Sequence, residues 1–351
     1  NDNTSIYDTT TCSEPIHFHK KVETKPTKLM VSFKTPVAPY ASVDLIHHTS
    51  QQSFDNGTLR NNKLPEITQD SLMVIRNIGL NNHNECFYSE LSSNDKLKIS
   101  VILYEPQKKK ESSSKSAHLR FYTLTTLKKL KHVNLVRCLG YVRTSPERYL
   151  LVTEHHLHNL YDHIKTLSND ESIYSELLMY VEQIVSALSY LELSNIIHHD
   201  LTLPNCLLYV DNHQSTIKIS DYASLDDKYD IRYHTVGEQK LAIRYLPTEA
   251  VIKDDWSLQT NSYMFGTLLW EMFNFAQKIP WSNLNDEELF LLFEKWTLEG
   301  INTNEITLGF ERPQLCTDRL FALIERCLSS TNSDRPSFRE ISLCLNETPL
   351  F

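Results

Sequence analysis

The stretch NIIHHDLTLPNCLLYV, residues 195–210, ends an apolar run on His198-His199-Asp200 and sets Asn205 five positions after the Asp. A carboxylate that accepts a hydroxyl proton, with an amide oxygen nearby to hold a divalent cation, is the layout of a phosphoryl-transfer catalytic loop. Asp221, in Asp221-Tyr222-Ala223, supplies a further oxygen of the kind that holds a metal ion. Such chemistry also needs backbone close to the phosphates, which depends on glycine. Only 7 of the 351 residues are Gly, against the usual ~7%. The question is whether this loop catalyses or only keeps the shape of one.

Composition narrows the classes. Apolar residues make up 40%, enough for a sizeable core, and the net charge of −9 argues against nucleic acid as a partner. Lys108-Lys109-Lys110 reads as a solvated loop rather than a binding face. The 7 cysteines are odd in number and show no CxxC or Cys/His ligand spacing, which fits a reducing compartment. No uninterrupted apolar run reaches the roughly 18 residues that cross a bilayer. The chain opens on Asn1 without Met, so the expectation is a cropped piece whose membrane anchor lies upstream.

The elements that must position these residues follow from periodicity. Residues 1–68 are rich in Thr, Ser, Asn and Pro and read as a disordered leader or juxtamembrane segment. From Ser71, SLMVIRNIG, NECFYSEL and KLKISVILYE read as three successive strands. A polar loop from Gln107 leads to Phe121, Leu124, Leu127 and Leu130 at helical spacing. A second strand pair covers LVRCLGYV and RYLLVTEHH. Three apolar helical stripes follow: Leu177 to Leu191, Phe265 to Phe273 and Leu320 to Cys327. The fold class expected is α+β in two lobes. A strand-rich N-lobe with one helix spans 69–154, a larger helical C-lobe spans 155–347, and 348–351 form a tail.

These elements in this order resemble the protein kinase fold. His198-His199-Asp200 matches the HRD motif, Asn205 the metal-binding Asn, Asp221-Tyr222-Ala223 the DFG motif and Pro247-Thr248-Glu249 the APE motif. Arg335 in SDRPSF matches the residue that pairs with Glu249. RYLPTEAV and LLWEMF point to the tyrosine-kinase branch. The resemblance implies a structural ion pair between Glu249 and Arg335. It also implies a nucleotide hinge at Glu154 and His156, a gatekeeper at Thr153, and lobe packing by Leu127, Cys138, His198 and Tyr222.

The departures from the pattern bear on activity. The glycine loop reads Gly79-Leu80-Asn81-Asn82-His83-Asn84, so only the first Gly of GxGxxG remains. Ile102 stands where the third strand carries its phosphate-gripping Lys, and Thr123 stands where the helix carries the Glu that holds this Lys. Lys98, four residues before Ile102, is about 13 Å away along a strand and too far to substitute. His199 replaces the Arg that receives activation-loop phosphate, and Pro204 the Arg of the tyrosine-kinase loop. Asn261 replaces the helix Asp that anchors the catalytic loop, with hydrogen bonds that lack charge assistance.

The activation segment, with Tyr229 and Tyr233 as candidate phosphorylation sites, is similar to that of the Off-track and colon-carcinoma-kinase receptor family. That resemblance implies a pseudokinase: the intracellular, cytoplasmic-face part of a single-pass plasma-membrane receptor in Wnt, planar-polarity or adhesion signalling. Its partners would be signalling proteins, active kinases or co-receptors. The expectation is a scaffold without a resident cofactor, holding Mg-ATP only weakly. Two rivals stay open: a slow tyrosine kinase that uses Asp200 as base with Asn205 and Asp221 on the metal, and a nucleotide-sensing switch without turnover.

Overall fold

The computed structural model describes residues 65–81, 84–92, 98–104, 119–120, 130–145, 148–154, 158–167, 173–211, 214–220, 234–236, 239–300 and 309–346. Strands β1 (Leu72–Asn81), β2 (Asn84–Ser92) and β3 (Lys98–Tyr104) follow one another as the sequence pattern predicts. β4 (Leu119–Arg120), β5 (Cys138–Ser145) and β6 (Arg148–Glu154) come next. The N-lobe sheet is five-stranded and antiparallel, in the order β1-β2-β3-β6-β5. Leu72, Leu91, Val142, Leu150 and Val152 form its core. The helix expected at 121–130 falls outside the described residues except for Leu130, which packs half-buried on the main core.

One boundary differs from the sequence reading. Residues 65–68, which composition places in the leader, lie on the outer edge of β5. Ile67 N–H donates to the Tyr141 carbonyl at 2.8 Å, and Tyr141 N–H donates to the Pro65 carbonyl at 3.1 Å. Gly140 makes this approach possible, because a Cβ there would sit 2.6 Å from the Pro65 oxygen and 2.8 Å from Ile67 Cδ1.

Beyond β6 the chain becomes mostly helical, with β7 (His158–Asn159), α1 (Leu160–Thr166) and α2 (Ile173–Leu193). The predicted stripe from Leu177 to Leu191 is the buried face of α2. Strands β8 (Ile196–Ile197), β9 (Cys206–Asp211) and β10 (Gln214–Ile219) bracket the catalytic-loop sequence. β8 pairs with β4 in parallel, while β9 lies between β7 and β10. β11 (His234–Val236) and β12 (Gln239–Leu241) form a short hairpin.

Among the described residues five helices follow: α3 (Thr248–Lys253), α4 (Leu258–Phe273), α5 (Asp286–Glu299), α6 (Asp318–Cys327) and α7 (Phe338–Asn346). Every α4 residue from Thr260 to Phe273 is buried, so this helix is enclosed on all sides and the lobe is built about it. On α6 the predicted residues Leu320, Leu323, Ile324 and Cys327 are buried, and polar residues face out. Burial raises the thiols of Cys316 and Cys327 to about 12, and raises that of Cys206 further still. All three are therefore inert packing groups at neutral pH.

The segment before α3 is pinned by a residue the sequence reading passed over. Arg244, 5% exposed, donates from Nη1 to the carbonyls of Pro280 and Trp281 and from Nη2 to that of Leu284. Its Nε meets the Asp286 carboxylate at 2.9 Å. Trp281 adopts a left-handed φ of 58° and packs edge-on against Phe293, Trp296 and Phe310. Its ring also fills the space beside Gly309, where a Cβ would lie 2.4 Å from Trp281 Cε3. The ring is fully buried and has nowhere to go. Gly309→Ala is therefore predicted to destabilise the lobe by about 1–3 kcal/mol, the usual cost of overpacking. Thermal unfolding should show a fall of about 2–4 °C per kcal/mol, and an unchanged midpoint would contradict this packing.

Candidate functional site

The catalytic loop lies against the middle of the buried helix. Asn261, fully buried on α4, accepts a hydrogen bond from His198 N–H at 2.9 Å and donates its own Nδ2 to the Ile196 carbonyl at 3.1 Å. An Asp could accept the first bond but could not donate the second. The change to Asn therefore gives up charge and gains a second tether to β8. Leu201 N–H points at Met264 Sδ, one turn further along α4, at 3.5 Å.

His198 is sealed under the loop, 2% exposed. Its Nε2 lies 3.0 Å from the Ser220 carbonyl and so carries the proton, which leaves Nδ1 to accept the Asp200 N–H at 3.3 Å. Ser220 N–H in turn donates to the Asn205 carbonyl at 2.8 Å. The loop is thereby tied to the end of β10, immediately before Asp221. His199, at a left-handed φ of 69°, donates Nδ1–H to the Ile197 carbonyl at 2.9 Å and packs on Trp256, with ring centroids 4.5 Å apart. Its imidazole is directed into the lobe's own packing. Pro204 sits in the buried 3₁₀ turn Leu203–Asn205, where a fixed φ suits the turn.

Asp200 and Asn205 are brought together. Asn205 Nδ2 donates to the Asp200 carbonyl at 2.7 Å and to its Oδ2 at 3.0 Å. Asn205 Oδ1 is buried without a hydrogen-bond partner. That orphaned oxygen is of the type that ligates Mg²⁺, so this one position fits a metal ion.

The phosphate side departs from the family pattern in its residue types. Ile102 lies on β3 in register with Tyr88 of β2 and Thr153 of β6. An aliphatic residue there brings no charge. Lys218 of β10 is paired with Glu154 of β6, its Nζ 2.7 Å from Oε1. Gly79 lies on β1 opposite Cys86, and the β1–β2 register ends at Asn81↔Asn84, which leaves two residues for the turn.

Glu154, expected to serve the hinge, has its carboxylate committed elsewhere. Beside Lys218, the same Oε1 accepts Arg137 N–H at 2.8 Å, and the Glu154 N–H returns a bond to the Arg137 carbonyl at 3.1 Å. One buried carboxylate thus joins the end of β6, the start of β5 and the C-lobe strand β10. A second tie lies beside it. Ile219 N–H donates to the Asn134 carbonyl at 2.9 Å, and Val136 N–H donates to the Ile219 carbonyl at 2.9 Å. Asn134 Nδ2 reaches Gln183 on α2 at 3.1 Å and the Ile217 carbonyl at 2.9 Å. His132 accepts Asn134 N–H on Nδ1 at 3.1 Å and presents Nε2 to Ser186 at 3.3 Å.

Glu249 and Arg335 are also brought together. The guanidinium spans both carboxylate oxygens at 2.5 and 3.2 Å, and its Nε donates to the Ser329 carbonyl at 2.8 Å. Arg335 also lies over the Tyr263 ring at 5.1 Å. Cys138 is half-buried and pairs with Thr153, whose hydroxyl is buried without a partner. Thr123, Leu127, His156, Asp221, Tyr222, Tyr229 and Tyr233 lie outside the described residues, as do Asn82 and His83 of the β1–β2 turn.

Two outcomes follow. Asn261→Asp, although it restores the family's usual residue, is predicted to destabilise by about 1–3 kcal/mol, because the Ile196 carbonyl loses its donor and faces a carboxylate. Denaturant unfolding checks this, and equal or greater stability would contradict it. The second concerns pH. Burial holds the His132 pKa below its ordinary 6.5, so the unfolded chain takes up the proton first. The contribution of His132 is therefore complete above about pH 6.5 and is lost as pH falls through the lower folded value. The stability of His132→Gln should fall less between pH 7 and 5 than that of the unaltered chain. Equal slopes would count against this assignment.

Comparison with known proteins agrees with the geometry. The profile of the family described as "Protein tyrosine and serine/threonine kinase" matches residues 72–345. The chain is 29% identical over 228 residues to inactive tyrosine-protein kinase 7 of Gallus gallus, which covers 63% of this chain and 20% of that protein. It is 30% identical over 215 residues to the tyrosine-protein kinase transforming protein Abl of Abelson murine leukemia virus, covering 61% of this chain and 27% of that one. It is 27% identical over 295 residues to discoidin domain-containing receptor tyrosine kinase B of Caenorhabditis elegans, covering 83% and 35%. The chain thus spans between a fifth and about a third of the length of these relatives. With its strand-rich N-lobe, helical C-lobe and tyrosine-kinase-like loop, the chain belongs to the protein tyrosine and serine/threonine kinase family.

Proposed function

We propose that this domain is catalytically impaired and works as a scaffold, binding signalling proteins rather than transferring phosphate. The observation that carries the reading is Ile102, which puts an uncharged residue at the β3 position in register with Thr153 while the amine of Lys218 is held by Glu154. Losing one preorganised charge-stabilising donor costs on the order of 10²–10³ in rate. Here the Lys, its Glu partner at position 123 and two loop glycines are absent together. The likeness to a relative named as inactive supports the same reading.

Receptor-type relatives support a place at the cytoplasmic face of the plasma membrane, as the intracellular part of a single-pass receptor. Among the described residues no helix is long and apolar enough to cross a membrane, so the anchor would belong to another part of the protein. Wnt, planar-polarity or adhesion signalling, with active kinases or co-receptors as partners, is the setting this reading suggests. Phosphorylation of Tyr229 or Tyr233 by another kinase would recruit a partner rather than activate the domain, since His199 offers no guanidinium fork to a phosphate.

One observation favours the rival of a slow kinase. Asp200 and Asn205 keep their relation, and Asn205 Oδ1 remains unspent for a metal ion. Mg-ATP binding separates the readings. A ligand at a hundredfold excess over Kd stabilises by about 2.7 kcal/mol, which thermal denaturation detects readily. The expected result is no shift at millimolar Mg-ATP. A clear magnesium-dependent rise would overturn the claim that the cleft is unfit for the nucleotide.

A further inference from the structure

Helix α5 is held in one orientation by what it buries and by how it starts. On its inward side Leu289, Phe293 and Trp296 are buried, and Trp281 meets the two aromatic side chains edge-on. At its first turn Asn285 and Glu288 cap each other, each side chain accepting the other's backbone N–H at 2.9 Å. Beside this cap Arg244 grips the Asp286 carboxylate. Together these contacts fix which side chains α5 turns to solvent.

Glu287, Leu291, Glu294 and Leu298 follow at intervals of four, three and four residues, so they form one line on the side opposite that core. All four are exposed, Leu291 at 62% and Leu298 at 85%. The two leucines stand about 10 Å apart, two turns along the helix. A single exposed leucine is ordinary surface. Two on one line, alternating with carboxylates, make a patterned ridge. The helix carries five carboxylates against one cation, Lys295. Asp286 and Glu288 are spent on Arg244 and on the cap, whereas Glu287, Glu294 and Glu299 stand exposed.

We propose that this ridge docks an amphipathic helix of another protein, one whose contact stripe alternates lysine or arginine with aliphatic residues. A helix laid along α5 would cover Leu291 and Leu298 with its aliphatic side chains and set a cation against Glu287 and against Glu294. The charge pattern decides against other occupants. A second copy of the ridge would bring carboxylates against carboxylates, and an anionic membrane surface would repel it. Two leucines on one helix face form a small contact, in the class of transient encounters that bury less than about 1,200 Å². The inference rests on the scaffold reading for its use in signalling. Peptide docking and phosphate transfer are scored separately, so either can fail alone.

Fluorescence anisotropy on the full chain tests the ridge with two labelled synthetic peptides. Both are alanine-based helices with leucines spaced as on α5; one carries lysine at the alternating positions and the other glutamate. At about 50 mM salt, where screening is weak, the lysine peptide should bind about tenfold more tightly than the glutamate peptide. Leu291→Ser combined with Leu298→Ser leaves the charge unchanged and should weaken the lysine peptide by about tenfold. Glu287→Lys combined with Glu294→Lys should transpose the preference, so that the glutamate peptide now binds more tightly. That gain cannot come from misfolding. Equal binding of the two peptides by the unaltered chain would overturn the proposal. So would a lysine preference that survives loss of both leucines, since it would be only the general attraction of an acidic protein. Sedimentation that shows a dimer abolished by the leucine pair would assign the ridge to a second copy and overturn it as well.

Discussion

A helix buried on every side has to be surrounded, and α4 imposes that constraint on the whole C-lobe. Its residues from Thr260 to Phe273 are sealed from water, so α2, α6, β8 and the catalytic loop are arranged as its cover. Inside such a cover each polar group needs a partner, because an unpaired buried one costs about 1–3 kcal/mol. Asn261 is one of the buried polar residues of α4, with Thr260, Ser262, Thr267 and Glu271, and it is satisfied only if Ile196 and His198 sit where they do. The loop's shape is thus a requirement of folding in its own right. His198, Asp200, Asn205 and Ser220 then continue one hydrogen-bonded chain outward from that amide.

This separates two things that an active kinase combines. The groups retained by type, Asp200 and Asn205, belong to the C-lobe network and are held by it. The groups absent by type, at positions 102 and 123, belong to the N-lobe, whose own core is small. An unpaired Lys or Glu there would be an uncompensated charge, so the loss of both leaves the lobe electrostatically neutral at that point. The lobes still meet through a charge, but a different one. Lys218 and Glu154 join β10 to the end of β6, so the hinge is fastened by an ion pair that lies apart in sequence from positions 102 and 123.

Much of the fold was legible because the pattern and the burial coincide. The stripe from Leu177 to Leu191 read directly from period 3.6 and is the buried face of α2, while the three strands from Ser71 onward read as short strand-like runs in succession. The catalytic loop was legible because its residue types and spacing are diagnostic. What the sequence hid is non-local or depends on a donor's direction. Lys218 and Glu154 are 64 residues apart, and nothing in either neighbourhood announces the other. Arg244 reads as one basic residue in an apolar run, although it gathers three carbonyls and a carboxylate. Asn261 reads as a weakened Asp if only acceptance is considered, yet its amide also donates. The segment Pro-Glu-Ile-Thr at 65–68 shows no periodicity, and only its fit beside Gly140 reveals it as part of the lobe.

The central claim is that the catalytic loop persists for the fold and not for chemistry. Transfer of radiolabelled phosphate, to the chain itself and to a tyrosine-containing polymer, tests it most directly when the unaltered protein is run beside Asp200→Asn at millimolar Mg-ATP. The account predicts incorporation no greater than the protein-free blank in both. Incorporation by the unaltered protein that disappears in Asp200→Asn would show a working base and contradict it.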